Sequence, residues 1–244
     1  MFKKITFLAI SLSGLVSFSQ EIVSSFPLEL KKNKTVFQIV NDSSKEVHFF
    51  INDNERIKTI RVDSEMKILD SLTTTRIEPD TYNHIIGYTN KSSNSSLVWA
   101  SSNGKKFLIQ HFDFETKKIT TAFQAFDFKE EKLLQKFSDK DNFYLMSVIK
   151  NSNTMKLYIF DEIGNHKEKL IDFSGFKILN SKNTVSNLYD IFSEQLDMNE
   201  SQFTIQQITN ESQNSLVEGA KRKKFYIKNH NLIVSIDNSV NFTQ

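Results

Sequence analysis

The chain of 244 residues has no cysteine, two prolines and six glycines. Without cysteine there is no disulfide, no thiolate ligand for zinc, no thiol nucleophile and no cysteine-borne lipid anchor, so the fold must hold by packing alone. With Gly and Pro so scarce, turns must be built from Asn, Asp and Ser, whose short side chains bond the nearby backbone or tolerate a left-handed conformation. The same scarcity leaves little room for glycine-dependent sites, and no Gly-x-Ser-x-Gly elbow, P-loop or dinucleotide fingerprint occurs. An excess of one charge is lacking too. Setting aside Lys3 and Lys4, which belong to a leader described below, 29 basic residues face 29 acidic ones. A neutral chain has no global field to draw in nucleic acid or anionic membranes, so neither is expected as a partner.

Hydrophobic residues make up 39% of the chain and phenylalanine alone supplies 22, enough for a sizeable core. Residues 1–19 read MFKKITFLAISLSGLVSFS: two lysines, an apolar run, then small residues at Ser17 and Ser19. This is the layout of a secretory signal peptide with Gln20 as the mature N-terminus. The run falls short of the roughly 20 residues a bilayer-spanning helix needs, and no later stretch is a candidate span. Export to a periplasm or the medium is therefore expected, with residues 20–244 as the mature domain and no stable membrane span in it. The Asn-x-Ser/Thr sequons at Asn90, Asn94 and Asn210 are expected by chance in a chain this rich in Asn and Ser.

From residue 36 onward, short β-branched and aromatic runs alternate with polar turns every eight to twelve residues or so, an all-β pattern. The runs recur. VHFFINDNERIKTIRVD (residues 47–63) and LVWASSNGKKFLIQHFD (residues 97–113) align at a shift of fifty, and a third unit ends in Phe160-Asp161. Strands are expected at 36–40, 47–51, 56–62 and 67–72, then 85–88, 97–100, 106–112 and 118–123, then 133–137, 143–149, 156–160 and 167–173. The Asn103-Gly104 pair between two apolar runs predicts a type I′ hairpin turn. A fourth copy covers 224–228 and 232–236 and ends in Asp237; only residues 238–244 follow, so this last repeat is incomplete. An irregular insert near 176–223 precedes it. There Leu188, Ile191, Phe192 and Leu196 carry a helical stripe, while residues 203–208 fit a strand equally well.

Four short strands per 40 to 50 residues resembles the blade of a β-propeller, in the divergent form found among exported bacterial proteins of unassigned function. The resemblance implies an all-β, β-propeller-like fold of about four blade-type repeats of antiparallel strands. An open β-sandwich or stacked sheets is the alternative. The N-terminal strand at 36–40 could complete the last blade, or the chain could be part of a longer ring.

Asp63, Asp113, Asp161 and Asp237 recur once per unit and read as turn caps rather than a carboxylate ring. The histidines His48, His84, His111, His166 and His230 share no metal-ligand spacing. His111 occupies the repeat position of Arg61, which raises a polar channel or rim; His166 and His230 fall on exposed turns. Lys221-Arg222-Lys223-Lys224 reads as a solvated loop before a strand. Asp127, Glu130 and Glu131 read as loop acids, and no glycosidase pair can be nominated from sequence alone, because separation in space defines it. Trp99 and the phenylalanines read as packing between blades rather than a sugar platform. No catalytic or metal residue, no cofactor and no particular binding residue follows from these patterns. The function expected is a non-enzymatic exported binding or scaffold module for an unknown protein or glycan partner. The alternatives are a propeller enzyme acting on a carbohydrate or lactone, and an incomplete propeller without independent activity.

Overall fold

The computed structural model describes residues 25, 35–53, 55–180, 182–193, 204–206, 223–228 and 231–236, with the backbone alone at 204–206, 223–228 and 236. Residues 1–19, Leu196, Asn210, Lys221, Arg222, His230 and Asp237 lie outside the described residues.

Three four-stranded sheets follow one another along the chain, each ordered as its strands occur in sequence. Sheet 1 holds β1 (Thr35–Asn41), β2 (Glu46–Asn52), β3 (Arg56–Val62) and β4 (Ile68–Thr75). Sheet 2 holds β5 (Tyr82–Lys91), β6 (Asn94–Ser101), β7 (Lys106–Asp113) and β8 (Lys118–Ala125). Sheet 3 holds β9 (Glu131–Ser138), β10 (Phe143–Ile149), β11 (Thr154–Phe160) and β12 (His166–Asp172). Every pairing within these sheets is antiparallel. The fold is all-β and β-propeller-like, and the repeat read from the sequence is the sheet.

The sheets stack face to face because their central strands are apolar on both sides. In β6 and β7 every residue except the two terminal ones is buried, as a strand covered on both faces requires. Phe50, Ile57 and Leu72 of sheet 1 meet Leu97, Trp99 and Phe112 of sheet 2. On the opposite face of sheet 2, Val98, Phe107 and Ile109 meet Phe143, Leu145 and Phe160 of sheet 3. Phenylalanines therefore fill the inter-sheet layers, each fully buried side chain contributing roughly 1.5–3 kcal/mol. The far face of sheet 3, with Met146, Val148, Met155 and Leu157, is covered by helix α1 (Leu188–Ser193) and by Leu232 and Val234 of β15 (Asn231–Ile236). Asn187 caps α1, accepting from the Asp190 backbone N–H at 2.9 Å while its own amide donates to the Asp190 carboxylate.

Among the described residues the last sheet has three strands, β13 (Thr204–Gln206), β14 (Lys223–Lys228) and β15, against four in each of the others. Both alternatives for the insert occur, a helix over part of the stripe and a strand within 203–208. β13 pairs parallel to β14, an arrangement that the long connection between them permits and a tight turn would not. Among the described residues β1 pairs with β2 alone, in the first sheet, and has no pairing with the last. Among the described residues no helix is long and apolar enough to cross a membrane.

Aspartate and asparagine build the turns. Asp63 Oδ1 accepts from the N–H of Glu65 and Lys67, Asp113 Oδ1 from Glu115 and Thr116, and Asp161 Oδ1 from Ile163 and Asn165, all at 2.8–3.1 Å. The three described repeat aspartates, Asp63, Asp113 and Asp161, are turn caps, as read. The hairpin at Asn103-Gly104 differs from the expectation. Only Gly104 has positive φ, at 67°, and its N–H bonds Ser101 O at 2.8 Å, so the turn is a type I turn followed by a left-handed glycine rather than type I′. The Asn103 side chain decides this by accepting from the Lys105 N–H at 3.1 Å, which spares Asn103 itself a left-handed conformation.

Candidate ligand cleft between the first two sheets

Each sheet is followed by a connector, and the first connector residue is held in the same way each time. Arg76 N–H bonds Glu55 O at 2.7 Å, Phe126 N–H bonds Lys105 O at 2.9 Å, and Phe173 N–H bonds Asn153 O at 3.0 Å. Arg76 and Phe126 are also fifty residues apart, the repeat shift itself. The three positions are equivalent, and the first departs from the other two by carrying a cation where they carry phenylalanine.

The departure changes what fills the space between sheets. Phe126 sits with ring centroids 5.0–5.8 Å from Phe107, Phe128, Tyr158, Phe160 and His166, and closes the connector end of the layer between sheets 2 and 3. Arg76 instead lays its guanidinium 4.4 Å over the Trp99 ring and donates from Nη2 to Tyr82 O at 2.5 Å. Beside it a cleft of about 680 Å³ stays open, bounded by Thr35, Val36 and Phe37 of β1, Asn52 of β2, Arg76, Pro79 and Asp80 of the connector, Asn83, His84 and Ile85 of β5, and Trp99.

Its electrostatics centre on Arg76. Burial lowers the guanidinium from its ordinary value and the Asp80 carboxylate pushes the other way; an arginine in this setting keeps its charge. Stacking on Trp99 and the bond to Tyr82 O fix the plane of the fork, which orients its remaining N–H donors for a planar acceptor. Asn52 donates to Thr35 Oγ1 at 3.1 Å while, among the described residues, its buried Oδ1 has no partner and the buried Trp99 Nε1–H likewise has none. Buried polar atoms of this kind are met by ordered water or by a ligand.

The cleft gathers two residues singled out from the sequence, His84 and Trp99, with several that were not: Arg76, Asp80, Asn52 and Asn83. The signal for Arg76 was present in the fifty-residue offset from Phe126. Trp99 is 2% exposed and belongs to the inter-sheet core, as read. His48 is fully buried between sheets 1 and 2, its Nδ1 2.6 Å from Ser95 Oγ, which bonds Asn90 Oδ1 at 3.1 Å; Asn41 Nδ2 donates to the same oxygen at 3.3 Å. His111 faces sheet 3 and pairs with Ser96 Oγ at 3.0 Å, so it is a buried clamp and not a channel residue. His166 opens β12, exposed but beside Phe126 and Phe160. Glu131 is not a loop acid: it begins β9, and its carboxylate accepts from Ser147 Oγ at 2.6 Å, Tyr158 OH at 2.9 Å and Lys156 Nζ at 3.2 Å. Asp127 lies in the second connector, paired with Lys129 at 2.8 Å. Lys223 and Lys224 fall within β14 rather than in a loop. The three described repeat aspartates are not brought to one point: each caps a separate turn. Among the described residues no group of three or more His, Asp or Glu is placed to hold a metal ion.

A second cavity, about 760 Å³, lies between the far face of sheet 3 and β15, with apolar walls from Phe137, Tyr144, Leu157, Ile171, Phe173 and Leu232.

No protein-family model matches the chain, and no curated protein matches it. Among solved structures it is similar to the β-propeller domain of Nup133 from Vanderwaltozyma polyspora, at 12% identity and a TM-score of 0.28, over 65% of this chain and 51% of that one. The chain thus spans about half the length of that domain. The description of the fold rests on the sheets themselves.

Proposed function

We propose that the protein is an exported binding module, without enzymatic activity of its own, that engages a protein partner at the cleft beside Arg76. The observation that supports this most directly is the break in the repeat. A position that two sheets fill with phenylalanine carries in the first an oriented arginine next to a polar, open cleft. A residue held in place by packing alone would be expected to match its copies. The leader at residues 1–19 supports export.

The mature chain, residues 20–244, immobilised and exposed to an envelope or culture-medium fraction, should retain a specific protein, and the Arg76→Phe variant should not. Equal recovery by both would remove the cleft from the reading. Export is tested separately: N-terminal sequencing of the chain recovered outside the cytoplasm should begin at Gln20, and an intact Met1 would contradict it. A second reading, an enzyme acting on a carbohydrate or lactone, has in its favour that Asp80 and His84 line one cleft. Turnover that survives Arg76→Phe but is abolished by Asp80→Asn would replace the binding reading with that one.

A further inference from the structure

The aromatic face a sugar would stack upon is taken, because Trp99 is 2% exposed and Arg76 lies over its ring. What the cleft offers is a fixed guanidinium, the chemistry of carboxylate capture, beside an apolar wall of Val36, Phe37 and Ile85. Asp80 stands on the same rim, so an incoming carboxylate is favoured on the Arg76 side.

Strand β1 runs out of this cleft, and it is unlike the strands equivalent to it. The edge of β5 is occupied by sheet 3 and its turn: Tyr88 N–H donates to Ser138 Oγ at 2.8 Å and Asn90 N–H to Lys140 O at 2.6 Å. Among the described residues, β1 has a strand partner on one edge only. It also carries none of the devices that protect a bare edge. Thr35–Asn41 contains no charge and no proline, and Val36 and Val40 are 64% and 58% exposed. By contrast β12, the outermost strand of sheet 3, has the charged sequence HKEKLID.

We propose, resting on the binding-module reading, that the partner presents an extended segment that adds as a strand to the edge of β1 left unpaired among the described residues, and places a carboxylate on Arg76. Main-chain bonds to β1 would supply affinity, and the arginine and the Val36–Phe37 wall would set register and preference. The carboxylate could belong to an Asp or Glu side chain or to a chain end; both present the same planar pair of oxygens.

The test uses random nonapeptides displayed on phage and selected on residues 20–244. Selected peptides should share an acid at a fixed position with alternating apolar residues. As synthetic peptides they should bind at least 10-fold more weakly to Arg76→Gln, whose unchanged melting curve controls for folding. Amidation of the C-terminus and Glu→Gln or Asp→Asn replacement in the peptide separate the two sources of the carboxylate. N-methylation of alternate peptide amides, in both registers, should abolish binding in one register and spare it in the other. Peptides without a shared acid, or insensitivity to N-methylation in both registers, would overturn the inference. So would a mature chain that sediments as a dimer and becomes monomeric on Val40→Lys, because a second copy would then own the edge. Any of these results alongside Arg76-dependent capture of a protein partner would leave the binding module standing and remove only the strand.

Discussion

The layer between sheets 1 and 2 and the layer between sheets 2 and 3 have one architecture and opposite finishes. Between sheets 2 and 3 the connector end is closed by Phe126 among five rings, and Gly87 lets β5 approach so closely that a Cβ there would lie 2.3 Å from the Phe143 ring. The polar groups in that layer are mostly satisfied: Glu131 accepts from Ser147, Lys156 and Tyr158, and Ser96 Oγ pairs with His111 and donates to Glu162 O, which leaves Thr89 Oγ1, on the same face, without a partner among the described residues. Between sheets 1 and 2 the same position is Arg76, a cleft remains, and the buried atoms Asn52 Oδ1, Thr59 Oγ1, Asn90 Nδ2, Trp99 Nε1 and Gln110 Nε2 lack partners among the described residues. The second layer is closer to finished, and the first leaves more polar groups waiting. Such under-satisfied places are where proteins put function at a cost in stability.

The contrast can be broken from either side. The largest effect is expected from Phe126→Arg, which gives the second layer the first layer's residue. A cation would replace a ring among aromatic neighbours, and urea unfolding should show a loss of about 3 kcal/mol. An unchanged midpoint would mean that Phe126 does not seal the layer. Next comes Gly87→Ala. Phe143 is 1% exposed and cannot yield, so overpacking should cost about 1–3 kcal/mol and raise the unfolding rate; neutrality would show that the close approach of β5 is slack.

His48 probes the polar layer through pH. Burial holds its pKa below the ordinary 6.5, although the Glu46 carboxylate, and Asp70 behind it, pull upward; Arg61 lowers it further. The unfolded chain therefore takes up a proton before the folded one. Stability should be fully present above pH 6.5 and fall as pH drops through that value toward the folded pKa, with a slope of up to about 1.4 kcal/mol per pH unit. His48→Gln should flatten the slope, and an equal slope in the variant would assign it to other groups. The smallest effects belong to the turn caps. Asp63→Ala and Asp161→Ala should each lose about 1 kcal/mol with no change in partner capture. Loss of capture in either would make an aspartate a site residue after all.

Much of the fold was legible because a repeat multiplies weak signals. One apolar run ending in Phe-Asp says little, but Phe112-Asp113 and Phe160-Asp161 beside Val62-Asp63 fix strand, turn and period together. Asn103-Gly104 was read one step too simply, since a dipeptide does not disclose that Ser101 and the Asn103 side chain will lengthen the turn. Glu131 looked like one loop acid among several because its partners Ser147, Lys156 and Tyr158 come from two other strands. The cleft was hidden for a related reason: Asn52, Arg76, Asn83 and Trp99 lie on four separate segments. Arg76 alone left a trace, as the residue that fails to match Phe126.

The most direct measurement on that mismatch is the unfolding free energy of Arg76→Phe. If Arg76 is there for a ligand, phenylalanine on Trp99 should leave the chain as stable as the parent, within about 1 kcal/mol, or more stable. A loss of about 2 kcal/mol or more would show that the arginine is a structural clamp and would contradict a cleft kept open for binding.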